Sequence, residues 1–116
     1  MKKVAKKKAR KPKKGWVYVL KHEELFKVGF TTSRDIRKRL YYWRSRLNVN
    51  FKPYIVTSQV SDGYTVENRL MWYLRSRHCY VDKLNGKFTC ELFFDVDQYI
   101  KDFMEKEKLT YRIEED

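Results

Sequence analysis

The sequence predicts a small α+β domain, in which an antiparallel hairpin is followed by alternating helices and strands. Two apolar runs rich in β-branched and aromatic residues, 16–21 and 25–30, flank a polar turn, which is typical of a β-hairpin. Apolar residues then recur at spacings of four, three and four over 36–47, which is one face of a helix. An Asn-Gly dipeptide at 85–86 lies between two further strand-like runs and indicates a second hairpin.

The other elements follow from local signals along the chain. A proline precedes the third strand, and a Ser-Asp-Gly turn precedes the second helix. The predicted bounds are 54–60 for the third strand, 64–77 for the second helix, 80–84 and 87–94 for the second hairpin, a last helix starting at Asp95 or Asp97, and weak strand character over 109–113.

Positive charge is concentrated at the front of the chain. The 116 residues carry a net charge of +12, and residues 1–14 hold nine of the 27 Lys and Arg without one acid. The rest has 18 basic and 15 acidic residues, a net charge of +3, and residues 91–116 are net acidic. We therefore expect a disordered basic arm over 1–14, one folded domain over 15–106 and an acidic tail over 107–116.

The arm has two interpretations that the sequence does not separate. It is suited to binding nucleic acid through counterion release, and its Lys6–Lys14 segment is similar to a nuclear-localisation cluster. It is equally suited to be a solubilising tail.

The composition also bears on compartment. No run of 18 apolar residues is present, and no apolar stretch follows the basic start, so neither a membrane span nor a secretory signal is expected. Cys79 and Cys90 lack metal-site spacing and are interpreted as two reduced thiols. An intracellular protein, cytoplasmic or nuclear, is expected.

Arginines flank the apolar stripe of the first helix. Arg39 and Arg46 fall on one side of it and Arg37 and Arg44 on the other, where each stem can rest on the core and each guanidinium can reach a groove. Aromatic residues interleaved with these arginines can stack on bases. The predicted nucleic-acid contacts are Arg37, Tyr42, Arg44, Arg46, Arg75 and Arg77.

One acid lies on the apolar stripe of the second helix. Glu67 shares that stripe with Leu70 and Leu74, so its carboxylate must be paired, bound to a cation or placed at the mouth of a cleft. The alternative to a functional role is an ion pair with a nearby arginine at the start of the helix.

Four short motifs in order carry a resemblance. Val17-Tyr18-Val19, Phe26-Lys27-Val28-Gly29, Arg39-Leu40 and then Glu67 resemble the GIY-YIG nuclease superfamily, most closely a branch of phage, viral and bacterial proteins whose second motif reads Lys-[Ile/Val]-Gly. Glu91-Leu92-Phe93 is similar to a motif near the end of that branch. The resemblance covers residues 15–94.

The resemblance implies a three-stranded antiparallel sheet flanked by helices and a metal-dependent endonuclease that cuts DNA, with RNA a further substrate class. By motif, Tyr18 is implied to be the general base, assisted by Lys27, because a phenol ionises only near pH 10 without a neighbouring cation. Arg39 is implied to bind the phosphate, with Arg37 as the alternative. Glu67 is implied to hold Mg²⁺ or Mn²⁺.

Three positions depart from that branch. Trp16 stands at the glycine of the first motif, with Gly15 adjacent, and Trp43 and Met71 stand where its members carry histidines. The loss of the two histidines favours a nucleic-acid-binding module without catalysis as the second hypothesis. A third hypothesis is an interaction protein that uses the basic arm to bind a partner.

Overall fold

The computed structural model describes residues 11–77 and 80–114. The expectations for arm residues 1–10, for Cys79, for the side chains of Cys90 and Glu91 and for the last two residues fall outside what it describes. Strands are β1 Trp16–His22, β2 Leu25–Thr31, β3 Lys52–Thr57, β4 Tyr80–Leu84, β5 Lys87–Phe94 and β6 Tyr111–Ile113; helices are α1 Arg37–Leu47, α2 Gly63–Arg75 and α3 Asp97–Lys106.

The strands form one antiparallel sheet in the order β4-β5-β2-β1-β3-β6. The predicted α+β class with an antiparallel sheet and flanking helices is confirmed, but the prediction of three strands is wrong. The β4–β5 hairpin pairs with the outer side of β2, and the three-residue β6 pairs with β3. The physical reason is that both edges of a three-stranded sheet would otherwise present unpaired N–H and C=O groups.

The helices lie on both faces of the sheet. Because side chains alternate along a strand, Tyr18 and Leu20 of β1 face α1, whereas Val17 and Val19 face α2 and α3. The core of the α1 face includes Ile36, Leu40, Leu47 and Phe51, and that of the opposite face includes Leu70, Leu74, Phe93, Ile100 and Phe103.

The turn that closes the second hairpin follows local backbone chemistry. Asn85 and Gly86 both have positive φ, 50° and 79°, as a two-residue hairpin turn of this type requires. The hairpin predicted from the Asn-Gly dipeptide is therefore confirmed. In the described part of the chain, all three helices are too short or too polar to cross a bilayer.

Candidate functional site

A tyrosine on β1 crosses over a glycine on β2. Tyr18 pairs with Gly29 in the strand register. A Cβ atom added at residue 29 would lie 2.2 Å from Cζ and 2.3 Å from the hydroxyl oxygen of Tyr18. The ring therefore occupies the space that a side chain at residue 29 would fill, which is a use of glycine for close approach.

Lys27 lies on the same face of the sheet, diagonal to that tyrosine. It is only 1% exposed, so this lysine does not face solvent. The Nζ atom donates a hydrogen bond of 2.7 Å to the carbonyl of Val28. A buried ammonium group is costly unless it is stabilised, which makes this position a candidate for function.

Trp43 of α1 covers both residues. Its Nε1 donates to the Tyr18 hydroxyl at 3.1 Å, and its ring centroid lies 3.8 Å from the Lys27 Nζ. The indole thus joins the phenol by a hydrogen bond and the ammonium by a cation–π contact. Sequence reasoning treated Trp43 as core and as a lost histidine. Its helical position, one turn after Arg39, was the signal that it faces the same site.

Arg39 is exposed on the next turn of α1 toward the N-terminus. It lines a cavity of about 320 Å³ together with Lys38, Tyr42, Asp35 and residues 31–33 at the end of β2 and just after it. Asp35 is paired with an arginine outside the cavity lining. Two cationic side chains and the three hydroxyl-bearing residues 31–33 beside an aromatic ring are chemically suited to a phosphate group.

Arg37, the alternative phosphate ligand, already forms an ion pair with a carboxylate. Its guanidinium forms an exposed ion pair of 2.6 Å with Asp35, whose carboxylate also accepts the Arg37 backbone N–H. The hydrogen bonds from Arg37 lower the pKa of Asp35 from 3.8 to about 2. This pairing favours Arg39 over Arg37 as the residue available to a ligand.

Glu67 lies in the other layer of the molecule. It is 7% exposed and shares the buried side of α2 with Leu70 and Leu74, which pack on the opposite face of the sheet from α1. The outer edge of β2 pairs with β5 at residues 25–27 in the described part of the chain. The structure thus brings Tyr18 and Lys27 together and places Glu67 on α2, which packs on the opposite face of the sheet.

The metal prediction rests on that one carboxylate. Among the described residues, no group of three or more His, Cys, Asp or Glu side chains is arranged to hold a metal ion. A sparse protein shell of this kind suits Mg²⁺, which keeps most of its waters and takes substrate phosphates as ligands.

The other arginines and the aromatic residue predicted to contact nucleic acid divide between two surfaces. Tyr42 and Arg46 are exposed and line a second cavity of about 440 Å³ on the outer side of α1. Arg44 instead donates from Nε to the carbonyl of Phe51 at 2.7 Å, which fixes the loop after α1.

The last two predicted arginines lie at the end of α2 and belong to the opposite layer. The Arg77 guanidinium stacks 3.6 Å from the Tyr73 ring centroid and 5.2 Å from that of Tyr99, and that of Arg75 lies 5.9 Å from the Trp72 ring. Both are separated from the α1 surface by the sheet.

These features define the class of protein. A small α+β domain with a buried tyrosine–lysine pair and an exposed basic helix is compatible with the nuclease-like, DNA-binding domains. The family model that matches is the T5orf172 domain, over residues 15–108, so the chain belongs to the T5orf172 domain family. No curated protein and no solved structure matched the chain.

The family match corrects the resemblance inferred from the motifs. The matching model is that of a different family, and no GIY-YIG model matches, so the GIY-YIG assignment is wrong. The motifs misled because each has at most four residues. Matches this short occur in unrelated families, and a shared fold does not make a shared family.

Proposed function

We propose that this protein is a metal-dependent endonuclease that hydrolyses phosphodiester bonds in DNA. The observation that carries the proposal is the buried contact of Tyr18 and Lys27 with Trp43, beneath the helix α1 that also carries the exposed Arg39. Buried ionisable groups gathered beside an exposed basic surface are typical of catalytic sites.

Tyr18 is the proposed general base. Its oxygen accepts a hydrogen bond from the Trp43 indole N–H, and the Lys27 ammonium contacts the same indole. A hydrogen-bond donor and a nearby cation both favour the ionised form of a phenol. The phenolate accepts a proton from water, the water oxygen bonds to phosphorus, and the bond to the leaving sugar oxygen breaks as that oxygen takes a proton from solvent.

Arg39 is the proposed phosphate ligand. It is exposed, it lines a cavity, and Lys38 on the same cavity adds a second positive charge. A guanidinium matches two non-bridging phosphate oxygens and stabilises the charge that develops on them.

Glu67 is the proposed ligand of Mg²⁺ or Mn²⁺. A divalent cation held there would supply neutralising charge to a phosphate. The Glu67 carboxylate, nearly buried on α2, would give that charge a fixed position.

A second function is favoured by one observation. Tyr18 and Lys27 are each 1% exposed beneath Trp43, so a substrate reaches them only after the indole moves aside. A module that binds nucleic acid through the exposed Tyr42 and Arg46, without cleavage, does not need that movement.

A plasmid-nicking assay separates the two functions. We expect nicking by the wild type with Mg²⁺ or Mn²⁺ and none with a chelator. Tyr18→Phe and Glu67→Gln are expected to lower the rate by roughly 100-fold or more while DNA affinity stays within about twofold. Arg39→Gln should lower both the rate and the affinity.

Arg37→Gln is the matched control, because it removes one arginine from the same helix that is already paired with Asp35. We expect its nicking rate to stay within about threefold of the wild type. A wild-type protein that binds DNA and never nicks it would leave the binding module as the function. Full activity of Tyr18→Phe would refute the assignment of the base.

A further inference from the structure

A separate cavity opens on the other side of the segment that links β2 to α1. It has a volume of about 490 Å³, within the usual range for a bound small group. The cavity is lined by Trp16, Arg34, Ser58, Gln59, Tyr111 and Arg112, among others, and none of the lining residues from the described part of the chain is acidic.

Its side chains offer both an aromatic surface and free polar groups. Trp16 and Tyr111 are half-buried, while Arg34 and Gln59 are exposed. Within residues 11–77 and 80–114, the side chains of Trp16, Arg34 and Gln59 have no hydrogen-bond or ion-pair partner. An indole face, a guanidinium and an amide that both donates and accepts are thus available to a ligand.

The position of this cavity relates it to the candidate active site. Trp16 is the direct cross-strand partner of Thr31, and Thr31 lines the cavity that contains Arg39. The segment 31–35 therefore separates the two cavities, with Arg34 in one and Arg39 in the other. The two cavities therefore adjoin the same segment of the chain.

We propose that this second cavity binds one unstacked nucleotide of a single-stranded nucleic acid, next to the phosphate held at Arg39. The base stacks on Trp16 and its edge bonds to the Gln59 amide, while Arg34 holds the adjoining phosphate. Arg112 contributes less, because its guanidinium already bonds to Glu114. This inference rests on the proposed function and adds a substrate class to it, namely single-stranded or locally opened strands.

The test is fluorescence anisotropy of the full chain with a labelled twelve-nucleotide oligothymidine and with a blunt duplex of the same length. Trp16→Leu removes the flat ring but keeps an apolar group against the core, and Trp16→Phe restores a ring. We expect Trp16→Leu to weaken single-strand binding by about fivefold to 100-fold and Trp16→Phe to recover most of it. The affinity of Trp16→Leu for the duplex should fall by less than about threefold.

Salt dependence separates the stacking contribution from the charge contribution. Arg34→Gln should lower the slope of log affinity against log salt by about 0.7, the value for one single-strand phosphate, whereas Trp16→Leu should leave the slope unchanged. Arg69→Gln is the matched control, because it removes an exposed arginine of α2 that pairs with Glu107.

Each outcome bears on one claim. Equal losses for single strand and duplex in Trp16→Leu, or no loss for either, would overturn the inference. If nicking depends on Tyr18 while Trp16→Leu binds as the wild type does, the nuclease proposal stands and the nucleotide subsite is refuted. If nothing is nicked but single-strand binding depends on Trp16, the subsite stands and the nuclease proposal fails.

Discussion

Substitution of Gly29 by alanine tests the close packing of Tyr18 on β2. The new Cβ would lie 2.2 Å from the Tyr18 Cζ, whereas ordinary contacts begin near 3.4 Å. The ring must therefore move by about 1.2 Å in a site where its side chain is 1% exposed. A movement of that size also breaks the 3.1 Å hydrogen bond from Trp43.

Three contributions determine how much Gly29→Ala should change the free energy of unfolding. Overpacking destabilises by about 1–3 kcal/mol, and loss of the hydrogen bond adds about 0.5–1.5 kcal/mol. Replacing glycine by alanine in a strand stabilises the folded state by about 0.5–1 kcal/mol. We expect Gly29→Ala to lower the free energy of unfolding by about 2 kcal/mol, measured as a shift of the urea midpoint at constant slope.

A second background makes the test specific. The three atoms closest to the added Cβ are Cζ, the hydroxyl oxygen and Cε1 of Tyr18, and leucine has none of them. In a Tyr18→Leu background, Gly29→Ala should therefore be neutral or stabilising by up to about 1 kcal/mol. Equal destabilisation in both backgrounds would refute the steric argument, because the cost would then arise from the backbone.

Two further predictions concern the hydrogen bonds of buried and half-buried phenols. Trp43→Phe keeps a ring over Lys27 but removes the hydrogen-bond donor to Tyr18. It should lower the free energy of unfolding by about 1 kcal/mol and show a coupling energy of similar size with Tyr18→Phe in a double-mutant cycle. Strict additivity of the two substitutions would contradict this. Tyr54 has a pKa raised above 10 by burial and by its hydrogen bond to Asp97, so its contribution to stability is complete below pH 10 and lost as the pH rises through the folded-state pKa. Phenolate absorbance should follow this ionisation, and the urea midpoint of the wild type should fall above pH 9. The urea midpoint of Tyr54→Phe should depend less on pH over the same range.

Much of the fold was readable from local sequence. The second helix and the two hairpins appeared within a few residues of their predicted bounds, because apolar periodicity and turn chemistry act over short distances. The number of strands in the sheet could not be predicted from local sequence. Which edge a hairpin joins depends on packing between segments far apart in sequence, such as Leu25–Lys27 and Leu92–Phe94.

The candidate site was predictable in parts for the same reason. The motif resemblance grouped Tyr18 with Lys27, and the helical stripe placed Arg39 at the edge of the buried face of α1. The role of Trp43 depended on the angle at which α1 crosses the hairpin, which no local pattern specifies. The pairing of Arg37 with Asp35 likewise depended on the backbone conformation before α1.

The sequence by itself determined the class of fold, the order of elements and the basic, aromatic character of α1, since composition and periodicity are properties of the chain. Tertiary structure decided which side chains are buried against each other. It sealed Tyr18 and Lys27 beneath an indole, set Glu67 in the opposite layer and opened a second cavity at Trp16. Burial and contact across a sheet arise only when distant segments close-pack.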